Sequence, residues 1–92
     1  MALRFEWSPE KAAANLTKHR VSFDEARTVF EDPLGRITDD PRHSVGEARY
    51  VLLGQAEKRR LLVVMFTDRA DAIRVFSARV ANRRERREYE EG

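Results

Sequence analysis

The sequence predicts an α+β domain: a largely antiparallel sheet of four strands with two N-terminal helices and one C-terminal helix. A short N-terminal strand is available as a fifth, edge strand. Three observations carry this prediction. Two helix starts stand close together early in the chain, at Ser8-Pro9-Glu10 and at Ser22-Phe23-Asp24-Glu25. Three apolar runs of strand type follow, about Ala48–Leu53, Arg60–Phe66 and Ala72–Ala78, joined by connections short enough for hairpins. Beyond Val80 the chain turns to Arg and Glu at helical spacing.

Each element has its own signal. Arg4-Phe5-Glu6-Trp7 alternates polar and apolar side chains, as a short strand does. Ser8 then serves as N-cap, Pro9 takes the first helical position and Glu10 places an acid in the first turn. Ala12, Ala13 and Leu16 form a narrow apolar stripe on this helix, which ends near Lys18-His19. Ser22 and Glu25 have capping-box spacing, and Val21 and Ala26 occupy the hydrophobic-staple positions. Phe23, Ala26, Val29 and Phe30 recur at helical spacing until Asp32-Pro33, where proline drives the preceding residue out of the helical region. Leu34–Asp39 reads as an edge strand, and Asp40-Pro41-Arg42 leads into a polar loop holding His43 and Ser44. Leu61–Phe66 is apolar on both faces, which predicts a central strand covered on both sides. Gly54–Arg59 and Asp68–Asp71 are the hairpin loops. Arg84/Glu88 and Arg86/Glu90 are i,i+4 pairs that support the last helix. Trp7, Phe23, Phe30, Phe66 and Phe76 are assigned to the core.

Composition narrows the function. A chain of 92 residues, 41% hydrophobic and 37% charged, is one domain, 1–92, and too apolar for a disordered one. No segment approaches the run of about 18 apolar residues that spans a membrane. The N-terminus lacks the apolar centre of a signal peptide, so the expected location is cytoplasmic, with no membrane partner. The absence of cysteine excludes disulfides, thiolate nucleophiles and cysteine-bound zinc. Of 18 basic residues 15 are arginine, a bias that solubility alone does not require. Arginine is favoured where phosphates or carboxylates must be gripped in a fixed geometry. Residues 1–46 carry seven basic and eight acidic side chains, residues 47–92 eleven and eight, so an anion-binding surface is expected mainly on the second half.

Three short pieces place arginines at strand ends: His43-Ser44-Val45-Gly46-Glu47-Ala48-Arg49, Thr67-Asp68-Arg69 and Ser77-Ala78-Arg79. Gathered by the sheet, Arg49, Arg69 and Arg79 would form an anion pocket, pointing to RNA or another phosphate-bearing ligand. Alternation puts Glu47, Arg49 and Val51 on one sheet face, and Val75, Ser77 and Arg79 on one face with Arg74 and Phe76 on the other. Cleaving RNA without a metal needs a base for the ribose 2′-hydroxyl, cations for the phosphorane and an acid for the leaving oxygen. His43 and Glu47 are candidates for the acid–base work, and His19 beside Lys18 is their rival. Lys18, Arg74 and Tyr89 are candidate substrate contacts, Tyr89 as a stacking platform. The residues form no metal-ligand constellation, and no cofactor is expected. Every one of these residues also has a structural explanation: arginines bonded to nearby acids, a solvated loop histidine, a cation at a helix C-terminus, a packed tyrosine. A non-catalytic nucleic-acid module and a protein-interaction partner therefore stand as alternatives to an enzyme.

The scattered motifs are jointly more specific. Phe5-Glu6-Trp7-x-Pro9-x-Lys11-Ala12-x-x-Asn15-x-x-Lys18-His19-x-Val21-Ser22-Phe23-x-Glu25-Ala26, Asp32-Pro33, His43-Ser44-x-x-Glu47-x-Arg49, Ser77-Ala78-Arg79 and Glu85-Arg86-x-x-Tyr89-Glu90 together resemble the BrnT family of bacterial toxins. The resemblance implies a RelE-like fold and a type II toxin–antitoxin system whose toxin is a ribonuclease that slows translation. It also implies a DNA-binding antitoxin of the BrnA, ribbon-helix-helix type, with DNA contacted only through the toxin–antitoxin complex. Arg20 departs from the family pattern, which has glycine after Lys18-His19, and this is expected to alter the turn between the first two helices.

Overall fold

Strand order follows from hydropathy. The most apolar strand, β4 (Leu61–Arg69), lies in the middle of a five-stranded sheet ordered β1-β5-β4-β3-β2. Its neighbours are β5 (Ala72–Val80) and β3 (Tyr50–Gln55), both antiparallel to it. β2 (Arg36–Asp39) forms one edge, antiparallel to β3. β1 (Phe5–Glu6) forms the other and runs parallel to β5, so the N-terminal strand does join the sheet. The computed structural model describes residues 3–92; Met1 and Ala2, the start of the segment expected to lack a signal-peptide centre, lie outside it.

The helices form where the caps predict. Ser8 caps α1 (Pro9–His19), its hydroxyl accepting from the Lys11 N–H. Ser22 caps α2 (Phe23–Thr28) by accepting from the Glu25 N–H. The other half of the expected capping box is absent, because the Glu25 carboxylate turns instead to Arg60, at 3.0 Å from its Nε. A buried carboxylate gains more from a guanidinium than from one more backbone donor. Val29–Glu31 tightens into a 3₁₀ turn that closes at Asp32. Asn82 and Glu85 complete a full capping box at the start of α3 (Arg83–Glu91).

Arg20 occupies the left-handed region (φ 59°, ψ 32°) and donates its N–H to the Leu16 carbonyl. The turn therefore forms without glycine, but with a side chain in a conformation that costs about 1 kcal/mol. Arg20→Gly is expected to raise stability by about 0.5–1 kcal/mol, measurable in urea melts.

Two apolar layers sandwich the sheet. The larger joins α1 and α2 to one face through Val21, Phe23, Ala26, Val29, Leu52, Leu62, Val64, Phe66, Ile73, Val75 and Ala78. Phe30, partly buried, packs against this layer with edge-on ring contacts to Phe5 at 5.1 Å and Phe66 at 5.0 Å. The smaller joins α3 to the opposite face through Leu53, Leu61, Val63 and Ala81, with Val51 and Tyr89 against them. α3 is pinned at its far end by Asp32, whose carboxylate accepts from the Tyr89 hydroxyl at 2.6 Å and from the Gln55 N–H at 2.8 Å. The close approach needs Gly54, where a Cβ would meet Val29 at 2.8 Å.

One expectation about α1 is corrected. Of its predicted apolar stripe only Ala12 packs against the core: Leu16 is 50% exposed and Ala13 is exposed, while the buried residue is Asn15. β1 pairs with β5 only as far as Glu6 and Arg74, which leaves the outer edge of β5 without a strand partner beyond that point. Asn15 supplies the missing partner. Its amide nitrogen donates to the Ala78 carbonyl (2.8 Å) and the Val21 carbonyl (2.9 Å), and its oxygen accepts from the Ala78 N–H (3.1 Å). α1 consequently lies along the β5 edge rather than flat on the sheet.

Candidate functional site

The site is built by the sheet face that α3 only partly covers. Register places Thr67 opposite Arg74, Met65 opposite Ser77, and Val63 opposite Arg79. Arg49, one position before Tyr50 in β3, falls beside Thr67, whose hydroxyl donates to the Ala48 carbonyl. Arg49, Arg74, Ser77 and Arg79 thus share one face, since directly paired residues project to the same side. The predicted grouping of Val75 with Ser77 and Arg79 is corrected. A β-bulge at Phe76 lets β5 slip one position between Met65 and Phe66, so Val75 enters the core and Arg74 joins the site face. A one-residue insertion inverts the alternation beyond it.

The same bulge corrects the assignment of Phe76 to the core. The ring is half-buried and lies beneath two cations, with Arg49 Cζ 4.0 Å and Lys11 Nζ 5.2 Å from its centroid. Phe76 and Ser77 also line a shallow cleft with Lys11, Ala14, Asn15, Lys18 and His19 of α1. Lys18 and His19 are therefore brought to the edge of the face that carries Arg49. Phe76 and Lys11 were missed as site residues. A signal existed for Lys11: it shares a helix stripe, at i, i+4 and i+7, with Asn15 and Lys18. None existed for Phe76, because a bulge leaves no mark on hydropathy.

The three arginines at the strand ends are not equivalent. Arg79 forms a two-pronged pair with Glu85 of α3, both N–O distances being 2.8 Å. Arg69 lies 3.3 Å from Glu47 and 3.7 Å from Glu6. Glu6 also accepts from Arg74 at 2.7 Å. Different elements supply these acids: β1 sets Glu6 directly across from Arg74, the loop before β3 brings Glu47 to Arg69, and α3 brings Glu85 to Arg79. Arg49 alone of the three has no carboxylate partner among the described residues. Stacking occupies its planar face and leaves its N–H edge to meet a ligand.

The acid–base candidates lie on two flanks. His43, at the end of a 3₁₀ turn (Pro41–His43), is exposed and has Nδ1 2.8 Å from the Asp40 carboxylate. Its loop is tied to the site strand: the Ser44 hydroxyl accepts from the Arg49 N–H (2.9 Å) and donates to the Asp40 carbonyl (2.7 Å). Glu47, in the same loop, is engaged with Arg69. His19 approaches from α1. Tyr89 is not brought to this group; it belongs to the layer under α3, and its hydroxyl is pushed up to about 12 by its hydrogen bond to Asp32, by burial and by the Asp32 charge. Among the described residues no group of three or more acids and histidines converges, and no helix is long and apolar enough to cross a membrane.

The ion pairs carry a pH dependence. The Arg60 hydrogen bond, outweighing burial, holds the Glu25 carboxyl below its usual range, and the Arg79 hydrogen bond does the same for Glu85. Burial opposes ionisation of Asp32, but hydrogen bonds from Gln55, Tyr89 and Leu34 together lower it. A carboxyl depressed in the folded state stabilises above its unfolded value, near 4.5 for Glu and 3.8 for Asp, and this is lost as pH falls through the folded values. Thermal midpoints are expected to be flat down to about pH 5 and to drop steeply below pH 4. Glu85→Gln should flatten that drop, and an unaltered acid limb would refute the assignment.

Comparison with known proteins agrees with the fold and the motifs. Residues 7–85 match the family described as "Ribonuclease toxin, BrnT, of type II toxin-antitoxin system". The structure is similar to the crystal structure of the Brucella abortus ribonuclease toxin BrnT, at a TM-score of 0.70 and 18% identity, covering 89% of this chain and 100% of that one. No curated protein sequence gives a significant match. The family match spans most of the chain, from the strand-to-helix turn at Trp7 to the Glu85 that caps α3, and the chain belongs to the BrnT family of type II toxin–antitoxin ribonuclease toxins.

Proposed function

We propose that this protein is a toxin that cleaves RNA by acid–base chemistry on the face around Arg49, without a metal ion, and so inhibits translation. The observation that carries the reading is the state of Arg49, a permanent cation stacked on an aromatic ring with no carboxylate to displace. A guanidinium edge in that position suits a phosphate and the charge that builds on a phosphorane. Lys18 and Arg74 flank it as substrate contacts, while Arg69 and Arg79 join when a phosphate competes with Glu47 and Glu85. His19 works from the helix side and His43 or Glu47 from the loop side, one as base towards the 2′-hydroxyl and one as acid towards the leaving oxygen.

The partner on this reading is a BrnA-type, ribbon-helix-helix antitoxin that covers the basic face, with DNA reached only through the complex, in the cytoplasm. Its acidic groups would replace the RNA phosphates, so neutralisation is electrostatic as well as steric. The purified toxin is incubated with total RNA in EDTA across pH 5–9. Degradation with a bell-shaped rate profile is expected, and His19→Ala or His43→Ala should each remove one limb. RNA that binds but stays intact overturns the nuclease in favour of a binding module. RNA that fails to bind even at low salt favours a pure protein-interaction role.

A further inference from the structure

We propose that Phe76 is a positioning residue for RNA binding, holding the Arg49 guanidinium and the Lys11 ammonium as a fixed pair of phosphate contacts. This rests on the RNA-binding half of the function proposed above. Arg49 Cζ and Lys11 Nζ lie 4.0 and 5.2 Å from one ring centroid, and so no more than about 9 Å from each other. Two cations this close repel, and elsewhere on the face the repulsion is relieved by acids: Glu85 for Arg79, Glu6 for Arg74, Glu47 for Arg69. A carboxylate, however, competes with the phosphate it must later yield to. The electron-rich face of an aromatic ring attracts a cation without neutralising it and leaves its donors free. Phe76 therefore does for Arg49 and Lys11 what an acid could not do without blocking the site.

The backbone provides for this at two points. The β-bulge brings Phe76 out of the core onto the site face, and bulges commonly re-aim a side chain in this way. The Asn15 clamp holds α1 along the β5 edge, which sets Lys11, one turn before Asn15, over the ring. The role of Phe76 is exerted through the two cations it orients.

The test is equilibrium binding of a single-stranded 2′-O-methyl RNA oligonucleotide at low salt, which reads affinity apart from cleavage because the attacking hydroxyl is blocked. Phe76→Leu is expected to weaken binding about fivefold to tenfold, and Phe76→Tyr to keep it within about twofold. In an Arg49→Ala background, Phe76→Leu should have a smaller effect, since one of the two cations the ring acts through is gone. Lys11→Ala, the loss of an exposed side chain, should lower the slope of log affinity against log salt by about 0.7, one single-strand phosphate contact. The proposal is overturned if Phe76→Leu binds like the wild type, if Phe76→Tyr is as weak as Phe76→Leu, or if the loss is undiminished without Arg49. An unchanged salt slope in Lys11→Ala also overturns it, and this holds even should Phe76→Leu not fold. Wild-type protein that binds the oligonucleotide but leaves natural RNA intact defeats the nuclease alone. Wild-type protein that does not bind defeats both.

Discussion

Arg49→Ala is expected to lower RNA cleavage by about 10²- to 10³-fold, the loss typical when one fixed donor to a transition-state charge is removed. The protein should remain folded, because Arg49 is half-buried, forms no ion pair among the described residues, and rests on Phe76 rather than supporting it. Arg49→Lys should recover little, since an ammonium lacks the planar fork that both stacks and donates along its edge. Arg69→Ala and Arg79→Ala bear on a different balance. Each frees a carboxylate, Glu47 or Glu85, beside the site, so part of their effect is repulsion of phosphate rather than loss of a contact. Single-turnover cleavage assays alongside thermal melts separate the cases. An Arg49→Ala protein that cleaves within about threefold of wild type would remove this residue from the chemistry.

The largest expected effect on stability belongs to Asn15→Asp. The two side chains have the same shape, but the nitrogen of Asn15 donates to two backbone carbonyls, those of Val21 and Ala78. A carboxylate there would face both carbonyls with no proton to offer, at a position only 7% exposed. Leaving a buried charge without a partner typically costs about 3–5 kcal/mol, a large share of the stability of a domain this small. Loss should be greatest at neutral pH and partly relieved in acid, because protonating the new carboxyl returns one donor. Urea melts at pH 7 and pH 5 test this; a variant as stable as wild type at pH 7 would show that α1 is held by other contacts. Activity should fall with the clamp, since Lys11, Lys18 and His19 reach the site only while α1 lies on the β5 edge.

Most of the architecture could be read from local signals. Ser8, Pro9 and Ser22 mark helix starts through requirements of the first turn alone, and the doubly apolar run Leu61–Phe66 announces a central strand because each face must be covered. Element type depends on neighbours within a few positions, so the chain carries it openly. Asn15 escaped that reading. Its amide looks like a surface residue on a helix whose neighbours Ala13 and Leu16 are apolar, and only the early departure of β1 from β5 creates the open edge it satisfies.

The sequence by itself determined the elements, their order, the excess of arginine and the membership of the family. Tertiary structure decided which cations are free. Arg49, Arg69 and Arg79 look alike in the chain, each near the end of a strand, yet two are matched to acids that the fold brings alongside and one to an aromatic ring. Charge pairing depends on strand register and on a single bulged residue, long-range quantities that shift a side chain across the sheet without changing any local propensity.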